Sequence, residues 1–376
     1  MSTVTEALPE ILIPSLPNDV ALQCLARVPR RYHRVLAAVS KPIRSVLSSP
    51  HFFAVRSSLN CTELLPYLRI RSRYCHTVGW FTVFGRRPDD GKNDIIVAPV
   101  PGDPNDRLDW SNYAAVGPKI YVVGGISGDC YSTELWIFDC RFHTWERGPS
   151  MPTVQRCAAK TVVLDGKIYA IGCWTEENSW VNVFDTVDGR WEALPSPKLR
   201  VYGKEVDGCA IRGGKVCVWS EFEELKFDPA TKTWEVFRSG VGSGLRWTTQ
   251  ICEVNGMLYC TENYKGMIKG FDERNGVWKE VKIVDNTGLL PNHLWKPWMV
   301  NVGGRLVIMG WKELQDQIVN PELDDKVGVW CAEIEVEKDG DGDFRGEVQW
   351  SEMVSSMRTW LADRAPLFYA CVPVSY

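Results

Sequence analysis

The feature that most constrains the fold of this 376-residue chain is an internal repeat of 42 to 49 residues. Each repeat has a turn glycine before an alternating strand, and most continue to a second strand ending in Phe-Asp, with a tryptophan seven residues after the phenylalanine. The glycines are Gly117, Gly166, Gly214, Gly256 and Gly304; the aromatic pairs are Phe138 and Trp145, Phe184 and Trp191, Phe227 and Trp234, Phe271 and Trp278, after which Trp350 continues the series. Four short strands per repeat at this period predict the blades of a β-propeller, in which the tryptophan packs between neighbouring sheets.

The two ends of the repeat region predict how the ring closes. Residues 64–70, 79–85 and 94–100 supply three strands before the first complete repeat, and residues 367–376 supply an apolar strand after the last. Pairing this C-terminal strand with the first three would complete a blade and remove exposed sheet edges. The sequence therefore predicts six blades over residues 60–376. Its 17 Trp, 31 Gly and 22 Pro agree with many short strands that each end in a turn.

Residues 11–58 have a helical spacing of apolar side chains instead. Pro17 suits the first turn of one helix, Tyr32 to Val39 predict a second, and Ser40 is a candidate N-cap for a third. Ser49-Pro50 is expected to end that third helix. Three helices of this length cannot bury a self-sufficient core, so this N-terminal head is expected to need a partner or the neighbouring domain.

Three segments of the head carry a family resemblance: Leu16–Val20 (LPNDV), Cys24–Arg30 (CLARVPR) and Val39–Leu47 (VSKPIRSVL). In this order and spacing they resemble the F-box of plant F-box/kelch-repeat proteins, and the repeat of residues 60–376 resembles the kelch motif. The resemblance implies an all-β, six-bladed kelch-like β-propeller with a small N-terminal three-helix F-box. It also implies the substrate-recognition subunit of an SCF-type ubiquitin ligase. In such a subunit the F-box binds a Skp-type adaptor, and through it a cullin, while the propeller binds a protein target for ubiquitination.

The resemblance also implies which side chains bind the adaptor. They are apolar positions of the predicted helices: Leu16, Pro17, Val20, Leu25, Val28, Val39, Ile43 and Leu47. A head that is only a helical cap on the propeller is the alternative, because an apolar helical stripe is usually a core face.

Charge is unevenly distributed along the chain. Residues 1–58 contain seven Lys or Arg and three acidic residues, a net charge of +4, so the rest of the chain carries −8 within a total of −4. A basic head on an acidic body indicates two units with separate roles. The total charge provides no general attraction to nucleic acid or to an anionic membrane, and neither is expected as a partner.

Basic residues recur at one position of the repeat, ten residues before the turn glycine. The position holds Arg107, Arg156, Lys204 and Arg246, and in the last repeat it holds Leu294, beside Trp295 and Lys296. Arginine and lysine at one mouth of the ring would suit an acidic or phosphorylated segment of a target, and tryptophans beside them would suit interface anchors. The predicted target-binding set is Arg107, Arg156, Lys204, Arg246, Trp247, Trp295 and Lys296. A structural role for the basic side chains, bonding to blade carbonyls, is an equal alternative.

Signals for catalysis and for cofactors are weak. The chain contains no G-x-S-x-G, Walker or H-E-x-x-H motif, has five His, and has 13 Cys without a C-x-x-C pair. We therefore expect a non-catalytic protein without a metal or other cofactor. Cys217 and Cys331 lie in apolar runs and are expected to be buried and reduced, which favours a cytoplasmic or nuclear location.

The alternating Asp339, Asp341 and Asp343 lack the glycine and glutamate of a calcium loop and predict a polar hairpin tip. Neither a signal-peptide pattern nor a run of 18 apolar residues is found in the sequence. The competing functions are a propeller enzyme acting on sugars, either a copper oxidase or a glycosidase, and a kelch scaffold protein without a ligase role.

Overall fold

The computed structural model describes residues 11–71, 78–84, 96–100, 102, 104, 111–127, 130–152, 160–172, 180–197, 206–220, 223–242, 251–261, 267–286, 290, 294–314, 325–359 and 367–376.

The head is helical, as its apolar spacing predicted. Its helices are α1 (Asn18–Ala26), α2 (His33–Val39), α3 (Lys41–Leu47) and α4 (Pro50–Ser58), with a 3-10 turn at Arg30–Tyr32 between α1 and α2. The hydroxyl of Ser40 accepts the N–H of Ile43 at 3.2 Å and caps α3.

Helix α4 is absent from the sequence prediction, which treats Ser49-Pro50 only as a stop. The same dipeptide also begins a helix, because the Ser49 hydroxyl accepts the Phe52 N–H at 3.2 Å and Pro50 occupies the first helical position. The apolar side of α4, Phe52 and Phe53, is buried.

Six four-stranded antiparallel units follow the head, and each is one blade of a propeller. Blade one contains β24 (Leu367–Ser375), β1 (Leu64–Arg71), β2 (Val78–Phe84) and β3 (Ile96–Val100); blade two contains β4 (Asn112–Val116), β5 (Lys119–Ser127), β6 (Cys130–Asp139) and β7 (Thr144–Arg147); blade three contains β8 (Lys160–Leu164), β9 (Lys167–Ile171), β10 (Val181–Asp185) and β11 (Arg190–Leu194). Blade four contains β12 (Gly208–Arg212), β13 (Lys215–Trp219), β14 (Glu224–Asp228) and β15 (Thr233–Phe237); blade five contains β16 (Ile251–Val254), β17 (Met257–Thr261), β18 (Ile268–Asp272) and β19 (Val277–Val284); blade six contains β20 (Trp295–Val302), β21 (Arg305–Leu314), β22 (Asp325–Lys338) and β23 (Phe344–Thr359).

The innermost strands close the ring. Strands β24, β4, β8, β12, β16 and β20 contact one another in that cyclic order. Strand β24 is the neighbour of β1, and Tyr67 pairs with Val372 in their antiparallel register. The last strand of the chain therefore lies in the same sheet as the first three, the pairing that the sequence analysis proposed. The architecture is the predicted six-bladed β-propeller with an N-terminal helical head, whereas the domain extents 11–58 and 60–376 remain predictions.

The turn after each innermost strand explains the repeated glycine. In blades three to six it is a two-residue turn with positive φ at both positions, for example Asp165 at 49° and Gly166 at 72°. Two consecutive residues with positive φ match the twist of an antiparallel hairpin, and such turns favour Asp-Gly, Asn-Gly and Gly-Gly. Asn255-Gly256 and Gly303-Gly304 follow the same rule.

The seven-residue Phe-to-Trp spacing is the geometry of a hairpin between the third and fourth strands. In every case the two aromatic residues are cross-strand partners, with ring centroids 4.7 to 5.1 Å apart: Phe138 with Trp145, Phe184 with Trp191, Phe227 with Trp234, and Phe271 with Trp278. The aspartate after each phenylalanine accepts main-chain N–H groups of the turn, as Asp185 does from Val187 and Asp188.

The repeated tryptophans also connect neighbouring blades. The indole N–H of Trp191 donates to Pro149 O at 2.8 Å, and Trp234 donates to Pro195 O at 2.8 Å. Trp278 donates to Val241 O at 3.0 Å. Each acceptor follows the outermost strand of the preceding blade, so the predicted packing of the tryptophan between sheets is confirmed.

Blades five and six are joined into one eight-stranded sheet. Their outermost strands β19 and β23 pair in parallel, from Val281 opposite Phe344 to Val284 opposite Glu347. Asp272 in blade five pairs with its own Lys279 and with Lys338 of blade six, both at 2.9 Å. Hydrogen bonds from these ammonium groups lower the pKa of the Asp272 carboxyl.

Candidate functional site

The antiparallel blades give the ring two faces with different connections. The turns at Gly117, Gly166, Gly214, Gly256 and Gly304 define the turn face, because they follow the C-terminal ends of innermost strands that run in one direction. The opposite face, called the loop face here, is the one at which the innermost strands begin and the outermost strands end.

The head lies on the turn face, at blades one and two. The side chain of Arg30 donates to Arg141 O at 3.0 Å and to Cys140 O at 3.4 Å, in the turn after β6. Its guanidinium also lies over the rings of Phe53 and Tyr376, 5.4 and 5.2 Å from their centroids. One head residue thus contacts the second blade and the end of β24 in the first.

A charge pair between the buried Arg56 and the half-buried Glu63 lies beside this contact. Arg56 is 1% exposed, and its guanidinium donates to Glu63 Oε2 at 2.7 Å and to the carbonyls of Ala26 and Val28 at 2.8 Å. The same Glu63 oxygen accepts the Arg30 N–H at 2.7 Å. These acceptors come from the end of α1 and from the segment before β1, so Arg56 connects the first helix to the entry of the propeller.

The head and the propeller share one apolar core. Phe53 packs on Phe142 with centroids 5.5 Å apart, and on Tyr376 at 6.2 Å. The buried cluster runs without a break from Leu25 in α1 to Phe138 in β6. The expectation that so small a head needs its neighbour therefore agrees with the packing.

His33 lies at the same junction and is neutral. Its Nε2 lies 3.0 Å from Val28 O, and its Nδ1 lies 3.2 Å from Nη1 of Arg30. Because a guanidinium nitrogen can only donate, Nδ1 accepts and Nε2–H donates to the carbonyl. Burial, followed by the positive charge of Arg30, lowers the pKa of His33 to about 3.

The adaptor-binding set implied by the resemblance divides into an exposed and a buried group. Leu16, Pro17, Val20 and Val39 are exposed, and Val39 is 66% accessible. Leu25, Ile43 and Leu47 are 4 to 6% exposed and belong to the shared core, while Val28 is half-buried. The buried group can hold the helices in place beneath a partner surface, but only the exposed group is available for direct contact.

The head also exposes an apolar side chain that the sequence analysis omits. Val35 is 67% exposed and lies four residues before Val39 on α2, so both are on one side of that helix. Their spacing was visible in the sequence, but periodicity alone does not distinguish an exposed apolar face from a buried one.

The predicted target-binding set falls largely outside the described residues. Arg107, Arg156, Lys204, Arg246 and Trp247 lie outside them, and the side chains of Trp295 and Lys296, at the start of β20, are likewise not among the parts described. By their position in the chain, the four basic residues precede the innermost strands β4, β8, β12 and β16.

The predicted buried cysteines and the predicted polar hairpin tip lie within the described residues. Cys217 and Cys331 are buried, and burial raises the pKa of the Cys331 thiol to about 12. Asp339 to Asp343 form the predicted tip between β22 and β23, where Asp339 O accepts the Gly342 N–H at 3.1 Å. Within the described ranges, no cluster of three His, Cys, Asp or Glu side chains is arranged to hold a metal. No helix in the described part of the chain has the length and apolar character needed to cross a membrane.

Comparison with known proteins agrees with both parts of this structure. Residues 13–54 match the F-box domain, and residues 80–355 match the family described as FKB95, Kelch-repeats domain. F-box/kelch-repeat protein At4g39590 of Arabidopsis thaliana is 30% identical, covering 91% of this chain and 86% of its own length. F-box/kelch-repeat protein At4g39550 of the same plant is 31% identical over 91% of this chain and 90% of its own length, and At5g39560 is 28% identical over 96% and 92%.

The matches cover the helical head and most of the ring, in the order in which the structure presents them. The chain belongs to the F-box/kelch-repeat family.

Proposed function

We propose that this protein is the substrate-recognition subunit of an SCF-type ubiquitin ligase, in which the head binds a Skp-type adaptor and the propeller binds a protein target. The adaptor would connect the head to a cullin. The protein itself would perform no covalent step and would act by holding the target near the transferring enzyme. Family membership supports a receptor role of this kind.

The proposal that the head binds an adaptor rests on exposed apolar side chains just before and on α1, and on α2. Two pairs at four-residue spacing, Leu16 with Val20 and Val35 with Val39, are 39 to 67% exposed, although other apolar side chains of the head are buried in the core shared with the propeller. Several exposed apolar side chains on a small helical unit favour an interaction site there. The alternative, a helical cap that only covers the propeller, does not explain why these apolar side chains are exposed.

Charge-introducing substitutions test the adaptor surface. We expect Val20→Asp and Val39→Asp each to abolish capture of the adaptor, because an aspartate would lose its hydration in an apolar contact. Val187→Asp is the matched control, since Val187 is 89% exposed on a turn between β10 and β11. Equal capture by the wild type and the two head variants, with helical content unchanged, would refute the assignment.

For the target we propose the loop face, on the side opposite the head. The turn face is partly covered by the head at blades one and two. The basic positions Arg107, Arg156, Lys204 and Arg246 precede innermost strands, and those strands begin at the loop face. Together with Trp247, Trp295 and Lys296, they would bind an acidic or phosphorylated segment.

Proximity labelling in intact cells under proteasome inhibition tests the target face. Proteins labelled by the wild type but not by Arg156→Ala/Arg246→Ala would be target candidates. The matched control is Arg190→Ala/Lys232→Ala, which removes two exposed basic residues from the turn face. If the control loses the same proteins, the basic residues of the loop face are not the determinants.

The proposal also predicts where the protein works, and experiments can separate it from the competing functions. A receptor acting with the ubiquitin machinery would work in the cytoplasm, the nucleus or both, without a cofactor and without nucleic acid or a membrane as a partner. A sugar-processing propeller enzyme would need a metal set or a pair of acids at one mouth. Metal analysis of the purified protein tests the copper oxidase. A scaffold would bind its partner through residues 60–376 and show no adaptor binding.

A further inference from the structure

We propose that Arg30 and Glu63 are positioning residues that hold the head at one fixed orientation on the turn face, so that the head and the propeller move as one rigid body. The inference rests on the proposed function for its purpose, but its physical content, a rigid junction, is separate and separately testable.

Glu63 connects the two units by both its side chain and its main chain. Its carboxylate accepts the Arg30 N–H and the Arg56 guanidinium of the head, both at 2.7 Å. Its main-chain N–H and C=O pair with Tyr376 at 3.1 and 3.2 Å, at the end of β24. A rotation of the head relative to the ring would break one of these two sets of bonds.

Arg30 makes the reciprocal connection from the head. Its main-chain N–H is bound to Glu63, while its side chain reaches the carbonyls of Cys140 and Arg141 in blade two. The guanidinium also lies over the rings of Phe53 and Tyr376. A planar guanidinium can stack and donate in several directions at once, whereas a lysine ammonium has no plane to stack.

Other arginines of the head show that this arrangement is specific. Arg27 and Arg44 are exposed, and each donates to a carbonyl of the head itself, Gln23 O and Ala37 O respectively, both at 2.9 Å. Neither bond crosses to the propeller. Arg30 and Arg56 thus differ from Arg27 and Arg44, because their side-chain bonds reach residues beyond the head.

A rigid junction would matter because the receptor sets the distance between target and transferring enzyme. A head that swung freely would still bind the adaptor, since the exposed Val20 and Val39 are not part of the junction. It would, however, present the loop face at many orientations and lower the effective concentration of the target at the transferring enzyme.

The test is a distance distribution measured on the full-length chain. Genetically encoded fluorescent labels at Ser45 in α3 and Val187 in blade three occupy exposed positions on the two units. We expect one narrow distance population in the wild type and in Arg27→Ala, the matched control. We expect a broad distribution in Arg30→Ala, and a partial return to the narrow one in Arg30→Lys, which restores the charge but not the stacking.

Glu63→Gln is the second variant, in case Arg30→Ala does not fold. It keeps the shape of the side chain and weakens its bond to Arg56, so we expect measurable broadening there too. Adaptor affinity of Arg30→Ala is expected to stay within about twofold of the wild type, well below the tenfold change that corresponds to 1.4 kcal/mol.

The outcomes separate this inference from the proposed function. A narrow distribution in both Arg30→Ala and Glu63→Gln would overturn the positioning role, even if the adaptor binds. A narrow wild-type distribution that broadens in the variants would support the rigid junction even if no adaptor binds, in which case the ligase proposal fails alone.

Discussion

The head and the propeller are held together internally by different kinds of contact. In the head, a single buried arginine, Arg56, connects the end of α1 with Glu63 through three hydrogen bonds, one of which is also an ion pair. In blades three, four and five of the propeller, a neutral indole at the same repeat position donates one bond to the preceding blade, as Trp191 and Trp234 do. We therefore expect the stability of the head to depend on few positions with large effects, and that of the ring to be distributed over equivalent positions with small ones.

The largest expected effect is Arg56→Ala. The substitution removes a buried guanidinium and leaves Ala26 O without its side-chain donor, while Glu63 and Val28 O keep only their bonds from Arg30 N–H and His33 Nε2–H, and we expect a loss of about 3 kcal/mol in the free energy of unfolding. Urea denaturation followed by the helical far-UV signal would measure it. Arg44→Ala, an exposed arginine in the same head, is the control and should cost no more than about 0.5 kcal/mol. Equal losses would show that burial does not decide the effect.

One position between blades five and six is an exception, because a single substitution there is also expected to destabilise the ring strongly. A Cβ on Gly270 of β18 would lie 2.7 Å from Cγ of Phe344, whose ring is 1% exposed. We expect Gly270→Ala to lower the free energy of unfolding by about 1–3 kcal/mol through overpacking. The decrease should appear in tryptophan fluorescence, since all 17 tryptophans lie beyond residue 58. Gly340→Ala, with nothing within 4 Å of its Cβ, should be close to neutral.

Acidification is expected to destabilise the junction between the head and the propeller through His33. The pKa of His33 is lowered from 6.5 to about 3 by burial and by Arg30, so the unfolded chain binds the proton more readily than the folded one between these values. The stabilisation by neutral His33 is present in full above about pH 6.5 and is lost as the pH falls towards about 3. From about pH 7.5 to about pH 5 we expect it to remove about 2 kcal/mol.

Urea titrations of the wild type and of His33→Gln at the two pH values measure this contribution. The variant should be less stable at the higher pH but should lose less on acidification. An identical pH dependence in both proteins would assign the acid sensitivity to other groups.

The smallest expected effect compares two tryptophans at the same repeat position. Trp234→Phe removes the indole bond to Pro195 O, and we expect a loss of about 1 kcal/mol beyond the packing change. Trp145 is the matched control, because its buried indole N–H has no hydrogen-bond partner in the described part of the chain. Trp145→Phe should therefore cost less than Trp234→Phe in thermal unfolding. The reverse order would mean that packing, and not the bond, connects the blades.

Local geometry explains why the fold was predictable. The two-residue turn at Asp165-Gly166 needs positive φ at both positions. The seven-residue spacing from Phe184 to Trp191 makes the two residues cross-strand partners in one hairpin. The turn recurs in blades three to six and the aromatic spacing in blades two to five, so these local features were sufficient to predict the strand order. Helix α4 was missed because Ser49-Pro50 ends one helix and begins the next, and a stop signal does not exclude a start.

The candidate site was less predictable because exposure and partner are tertiary properties. The apolar periodicity of the head placed Leu25 and Val39 in one class, whereas packing makes the first 4% and the second 66% exposed. The pairing of Arg56 with Glu63 joins residues on either side of the boundary between the head and the propeller. Local spacing contains no information about which of the head's arginines would be buried.

The sequence by itself determined the number of blades, their strand order and the helical nature of the head, because turns and hairpins depend on residues that are near one another in the chain. The tertiary structure alone decided that the head lies on the turn face at blades one and two, and that blades five and six share one sheet through β19 and β23. Both arrangements depend on contacts between residues that are far apart in the chain. Arg30 reaches Arg141, 111 residues later, and no local spacing rule connects two positions so far apart in the chain.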